Sequence, residues 1–302
     1  MHYPWWYVPH LTAPMLIAAM AIVHVLVSHF AVGGGILLAI ETTHAHKTGN
    51  RRYLDYLKRH ARFFILITVV FGAMTGVGIW WTIGLASPLA TEMLIRTFVF
   101  GWGMEWVFFV LELLSAFIFY YFWDRLPGGT HSLFVWIYAI TAWISLVLIT
   151  GITAFMLNSR GLMGDWIVTG NFWDAFFNVQ FIPQTIVRTG GSLMIGSLYV
   201  YLHASFCTLD EDIRTMLQKR TGWIALVGVL MVLGGALLWF VNLTESARFL
   251  LQGTAAMNIF FGLVLTTGVV CAAMIFFGPI RNPKWLTPGF AIPLFLIGGV
   301  SF

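Results

Sequence analysis

The sequence is poor in charge. Only 9% of its residues are Asp, Glu, Lys or Arg, against roughly 25% in soluble domains, while 59% are apolar and the mean hydropathy is +0.86. That scarcity excludes a water-soluble domain and marks an integral membrane protein with helical spans. The pI of about 9.2 therefore does not indicate a nucleic-acid binder. Its source is basic loops gathered on one side of a membrane. Cysteine is scarce too. Cys207 and Cys271 are too few for a disulfide framework, and neither belongs to a Cys-x-x-Cys-His pattern, so the chain attaches no c-type haem. The N-terminus lacks the basic region of a cleavable signal. Its Trp5, Trp6 and Tyr7 instead suit a short interfacial segment over residues 1–11.

What is abundant is apolar run. Segments long enough to span about 30 Å of hydrocarbon fall near 12–40, 63–85, 95–123, 132–157, 181–206, 222–242, 255–278 and 286–302. The expectation is an all-α polytopic bundle of about eight helices in one domain, 1–302. The last run is either a short span or one that continues past Phe302, with a ninth helix beyond it. Loops on one side carry Lys47, Arg51, Arg52, Lys58, Arg59, Arg62, Arg125, Arg214, Lys219, Arg220, Arg281 and Lys284. The other side holds Arg96, Arg160 and Arg248. The bias puts the N-terminus outside and the 41–62 loop in the cytoplasm. The 158–180 connection, rich in Gly, Asn and Trp, is expected to form a structured outer cap, and the outer connection 243–254 is short.

Ionisable residues inside the spans are few: His24, His29, Glu105, Glu112, Arg188 and His203. At 1.5 Å per residue, His24, Glu105 and Arg188 lie about 18, 15 and 12 Å from the outer ends of their helices, in one layer. Glu112 shares a face with Glu105 about 10 Å deeper. Two acids on one apolar face point to a proton or ion path, and a desolvated Glu112 is expected to hold a proton and pass it toward Glu105. A lone histidine on an apolar helix is usually bonded to a carbonyl, a reading that suits His29 better than His24. Arg188 at this depth needs an anion or snorkels to the interface. The loop histidines His2, His44, His46, His60 and His131 are expected in solvent. Glycine pairs such as Gly33-Gly34 and Gly190-Gly191 allow close helix approach. Methionines are mostly packing, although Met104 and Met257 carry the thioether of a haem ligand.

These motifs resemble subunit I of the cytochrome bd oxidase family. His24, followed nine residues later by Gly33 and then "LLAIE", is similar to the family's first helix and its haem-ligating histidine. "GAMTG" (Gly72–Gly76) resembles its helix-two glycine motif. Glu105 and Glu112 followed by "FWDRL" (Phe122–Leu126) resemble its two-glutamate helix, though seven apart where the family has eight. "KWL" at Lys284–Leu286 and "IPL" at Ile292–Leu294 resemble its late helix.

The resemblance implies a haem-binding subunit of a respiratory electron-transfer complex in a bacterial or archaeal cytoplasmic membrane, passing electrons toward oxygen. It implies haem b, with haem d a further candidate. His24 is implied as an iron ligand, Glu105 as a residue beside or on the iron, and Glu112 in proton delivery. Arg188 and Trp123 are implied in cofactor binding. Gln184 falls at the place of the low-spin haem's histidine and Met257 beside that of its methionine. The family's long outer quinol loop is reduced to 243–254, so the donor is either quinol or a c-type cytochrome carried by a partner. Other membrane subunits are expected, a second bd-like subunit among them. Two other classes remain open: a quinone-linked haem anchor without oxygen chemistry, and a haem-free proton conduit or structural subunit using the two glutamates.

Overall fold

A computed structural model describes residues 6–207 and 209–302. Twelve helices and no strands form among the described residues. Eight overlap the expected runs: α1 (Ala13–Thr48), α2 (Arg51–Ala86), then, after α3 (Pro88–Thr97), α4 (Val99–Tyr121) and α5 (Gly128–Phe155). Past the two short helices α6 (Trp166–Thr169) and α7 (Phe172–Phe176) come α8 (Phe181–Phe206) and α9 (Glu211–Val241). Beyond α10 (Glu245–Gly253) lie α11 (Ala255–Ile280) and α12 (Pro288–Ser301). Six of the eight are long and apolar enough to cross a membrane, α8 and α12 falling short of that by composition or length. The four short helices α3, α6, α7 and α10 all lie in outer-side connections. The chain is a multi-pass membrane protein of all-α architecture.

Helix α8 is the axis. It packs against α1, α2, α5, α9 and α12, and this enclosure lets it carry Gln184, Arg188 and several serines and glycines. The contact with α1 is backbone against backbone. A Cβ on Gly33 would lie 1.7 Å from the Ser192 carbonyl oxygen, and one on Gly196 would lie 2.6 Å from Gly33. On the other flank Gly190 and Gly228 exclude each other's Cβ in the same way, at 2.6 and 2.5 Å from the facing carbonyls. Small residues of this kind let helices approach where lipid offers no hydrophobic drive for association.

The expected 41–62 loop is a correction. Helix α1 continues to Thr48, Gly49 turns the chain at φ 64°, and Asn50 Oδ1 caps α2 by accepting from the Tyr53 N–H at 3.0 Å. Basic residues end the apolar run, but Tyr53, Tyr56, Leu57, His60, Ala61 and Phe64 recur at helical spacing and are all buried. The segment is an amphipathic helix, so its histidine is not in solvent. His60 is buried, with Nδ1 3.2 Å from His203 Nδ1. His131 is also buried, between Phe119 and Trp123, with Nε2 3.1 Å from the Phe119 carbonyl and Nδ1 3.0 Å from His46 Nε2. His44 and His46 are half-buried, and His2 lies outside the described residues.

Glu41, at the start of that segment, is buried as well. It accepts the Arg220 Nε–H at 2.9 and 3.0 Å and the Tyr53 hydroxyl at 2.8 Å, tying α1, α2 and α9 together. Four turns meet at this end of the bundle through Arg52 with Asp210, Lys58 with Asp124, and Lys284 with Glu211. The basic loops counted for topology therefore share one end, as the charge bias requires.

At the other end the 158–180 segment folds into a cap. Helices α6 and α7 and the bridges Arg160–Asp165 and Gly161–Asn178 hold it together. Buried Asn178 donates to the Gly151, Ala175 and Phe176 carbonyls. Phe98, Ile152, Phe155 and Phe176 form a second apolar cluster beneath it. Of the interfacial N-terminal segment, Trp5 lies outside the described residues. Trp6 donates its backbone N–H to the Leu85 carbonyl at 3.0 Å and packs on Trp81, so the segment docks on the outer end of α2.

The glycine contact generates a test. Gly33→Ala should force α1 from α8 and lower the stability of the solubilised protein by about 1–3 kcal/mol, read as an earlier thermal loss of the monodisperse chromatographic peak. Gly103→Ala, at a position with nothing within 4 Å of the added Cβ, should leave that peak unchanged.

Candidate functional site

The two acids on α4 face α5, and the facing residues repeat their spacing. Ser145 donates its hydroxyl to Glu105 Oε1 at 3.0 Å. Seven residues back on the antiparallel α5, the Tyr138 hydroxyl faces the Glu112 carboxyl. Tyr138 also reaches Thr68 on α2 and donates to the Ala31 carbonyl on α1 at 3.1 Å. One residue therefore joins four helices. A phenol has a single proton. That proton goes to the Ala31 carbonyl. Helix α2 widens into π-helical geometry over Leu66–Phe71, the stretch that presents Thr68. Such turns recur at functional sites.

Two helical turns outward, α1 and α2 bring a second pair together. His24 lies seven residues before Ala31, and Thr75 seven after Thr68, so the outer layer repeats the register of the inner one. His24 Nδ1 lies 3.0 Å from Thr75 Oγ1 and also faces the Gly72 carbonyl. The Thr75 hydroxyl is spent on the Phe71 or Gly72 carbonyl, at 2.9 and 3.0 Å, so its oxygen accepts and Nδ1 carries the proton. That assigns the tautomer and leaves the Nε2 lone pair of His24 without a protein donor among the described residues. The glycine motif explains itself here: a Cβ on Gly76 would lie 3.2 Å from His24 Cε1. Bare backbone at that position lets the edge of the imidazole approach α2 closely.

His24 and Glu105 thus occupy one layer, with Glu112 about 10 Å deeper. Arg188, on α8, lies within electrostatic range of His29, which in turn senses His24. Among the described residues its guanidinium is in no ion pair. Gln184 is buried in the first turn of α8 with its amide nitrogen unbonded, and Met257 is half-buried in the first turn of α11. Both therefore stand at the outer end of the bundle. Trp123 stands at the opposite end, just past α4, packed on Phe119 and His131. It belongs to the His131 cage and is remote from the His24 layer.

The donor set fits an iron porphyrin. A neutral imidazole anchored through Nδ1 offers Nε2 to a metal, and a guanidinium without a carboxylate suits a propionate. The chain's own hydroxyls explain how two acids stand in a membrane. Sequence reasoning found the acids and missed Ser145, Tyr138, Thr68 and Thr75. The repeat of seven on antiparallel helices was the signal that could have found them.

The comparisons agree with this architecture. The solved bd oxidase from Geobacillus thermodenitrificans superimposes with a TM-score of 0.70 at 19% identity, covering 96% of this chain and 83% of that one. At that identity the likeness speaks to the fold alone. No curated protein matches the chain. The family model for cytochrome bd terminal oxidase subunit I matches residues 13–238, a span that holds His24, the glycine motif, both glutamates, Tyr138 and Arg188. The chain belongs to the cytochrome bd terminal oxidase subunit I family.

Proposed function

We propose that this subunit binds haem and passes electrons toward oxygen in a respiratory complex of a bacterial or archaeal cytoplasmic membrane. The observation that carries the proposal is the free Nε2 of His24, fixed in orientation by Thr75 and set in one layer with Glu105. When bound, haem supplies the redox centre and the oxygen-binding metal. The protein residues do the rest. His24 would ligate the iron, Arg188 would bind a propionate, and Gln184 with Met257 would border a haem place at the outer end. Haem b is the expected form, with haem d a further candidate. The short outer connection 243–254 favours a donor brought by a partner subunit, a c-type cytochrome or a quinol-oxidising chain. Family membership supports further membrane subunits.

Proton supply follows from the inner layer. Glu112, as an acid, gives its proton outward and is refilled from the cytoplasmic side. Tyr138 holds the carboxyl on the face shared with Glu105. About 10 Å separates the two carboxyls, so water carries the proton between them. Glu105, held by Ser145, then receives it in the His24 layer.

Three outcomes test this. In purified complex, His24→Ala should remove one haem from the pyridine haemochrome count and one high-spin signal, with assembly intact. An unchanged reduced-minus-oxidised spectrum would sink the ligand assignment. Glu112→Gln keeps shape and hydrogen bonding but cannot release a proton, so oxygen consumption should fall 10-fold or more, by the usual scale of proton-transfer catalysis of roughly 10²–10⁴. Turnover and proton uptake at the wild-type level would reduce Glu112 to a packing residue. Arg188→Gln should loosen haem, seen as faster loss to apomyoglobin. Retention equal to wild type would mean that the guanidinium holds no propionate.

A further inference from the structure

We propose that the basic end of the bundle binds the phosphate of an anionic phospholipid headgroup, in a cleft between the start of α9 and the turn joining α11 to α12. The cleft has a volume of about 270 Å³ and is lined by Leu209, Glu211, Arg214, Thr215, Pro283 and Lys284. It is remote from the His24 layer and stands independently of the haem reading.

Charge decides what the cleft can take. Its lining holds two cations and one acid, and that acid is already engaged. Lys284 Nζ lies 3.1 Å from Glu211 Oε1, with both side chains largely exposed. Arg214 is in no ion pair among the described residues, and its Nε is buried without a hydrogen-bond partner. The acids beside it in sequence, Asp210 and Asp212, are turned to Arg52 instead, at 2.8 and 3.9 Å. The lining is therefore left with one uncompensated positive charge, carried by a guanidinium. Arg214 is half-buried, with the accessible part of its side chain on the cleft wall. A planar fork of donors rooted inside the protein suits a phosphate oxyanion. Thr215 adds a hydroxyl beside it. An exposed ion pair is worth little, so Lys284 can turn from Glu211 to the same anion.

Position decides the source of the phosphate. Basic pockets between spans at the positively charged side of a membrane protein take anionic headgroups. Trp285, next to Lys284 in the turn, is exposed, and Trp is a residue type that sits at headgroup level. Leu209 and Pro283 give the cleft apolar wall, and Phe277 near the end of α11 is exposed for an acyl chain to follow. A phosphodiester carries the single negative charge that the lining leaves unanswered. Free phosphate would share the oxyanion contacts and make no use of the apolar flank.

The test uses the purified, delipidated complex in detergent, with phosphatidylglycerol and phosphatidylcholine of the same acyl chains as probes. Native mass spectrometry should show phosphatidylglycerol retained preferentially. Arg214→Gln should weaken that retention about ten-fold or more, the scale of a lost charge-assisted hydrogen bond. Arg214→Lys keeps the charge without the fork and should fall between the two, which also covers a failure of the glutamine variant to assemble. Lys47→Gln removes an exposed charge from the same end outside the cleft and should match wild type. Equal retention of the two lipids, or a loss as large in Lys47→Gln as in the Arg214 variants, would overturn the site. Thermal protection by inorganic phosphate without protection by phosphatidylglycerol would overturn the lipid source.

Discussion

The close approach of α1 and α8 at Gly33, Ser192 and Gly196 is the constraint on which the rest depends. A membrane interior gives helices little reason to associate beyond van der Waals fit and hydrogen bonds. Here the fit is backbone on backbone, with room for no side chain between. Once α1 is pinned to α8 on one flank, its other faces are committed. His24 turns to Thr75 on α2, Ala31 offers its carbonyl to Tyr138 on α5, and His29 is left toward the end of α12. The glycines do not line the site; they set the rotation of the helix that carries it.

Polar satisfaction then follows a single register. Residues seven apart on α1, α2, α4 and α5 meet in two layers: His24, Thr75, Glu105 and Ser145 in the outer one, Ala31, Thr68, Glu112 and Tyr138 in the inner. Seven residues are close to two full turns, so each helix presents the same face twice. Straight antiparallel neighbours can therefore repeat a polar pairing without a new packing solution. Glu105 gains a hydroxyl partner in Ser145, which is what the hydrocarbon interior demands of it, and the Tyr138 hydroxyl lies on the face that Glu112 presents.

The basic end is organised on different principles. Buried Glu41 accepts from Tyr53 and from the half-buried Arg220 across three helices, and exposed pairs such as Arg52 with Asp210 join the turns around it. Removing Arg220 would leave the buried Glu41 carboxylate without its cation, at a cost that solvent around the half-buried guanidinium holds below that of a fully buried pair. The exposed pairs contribute far less. This end holds the bundle closed below the acids, while the α6–α7 cap closes it above.

The sequence by itself determined the class, the order of the apolar helices, the gathering of basic residues at one end, and the ionisable residues within the apolar runs, because apolar length, charge bias and the cost of a buried charge are local or additive properties. The resemblance carried by His24, "GAMTG" and the two glutamates also identified the family. The helical nature of 41–62 was written in the spacing of Tyr53, Leu57, His60 and Phe64, but basic residues masked it. Only the tertiary structure decided which neutral side chains answer the charged ones. Ser145, Tyr138, Thr68 and Thr75 are ordinary residues in their own helices, and their meaning depends on helix rotation. That rotation is set where glycine backbones touch, a contact between segments more than 150 residues apart in the chain.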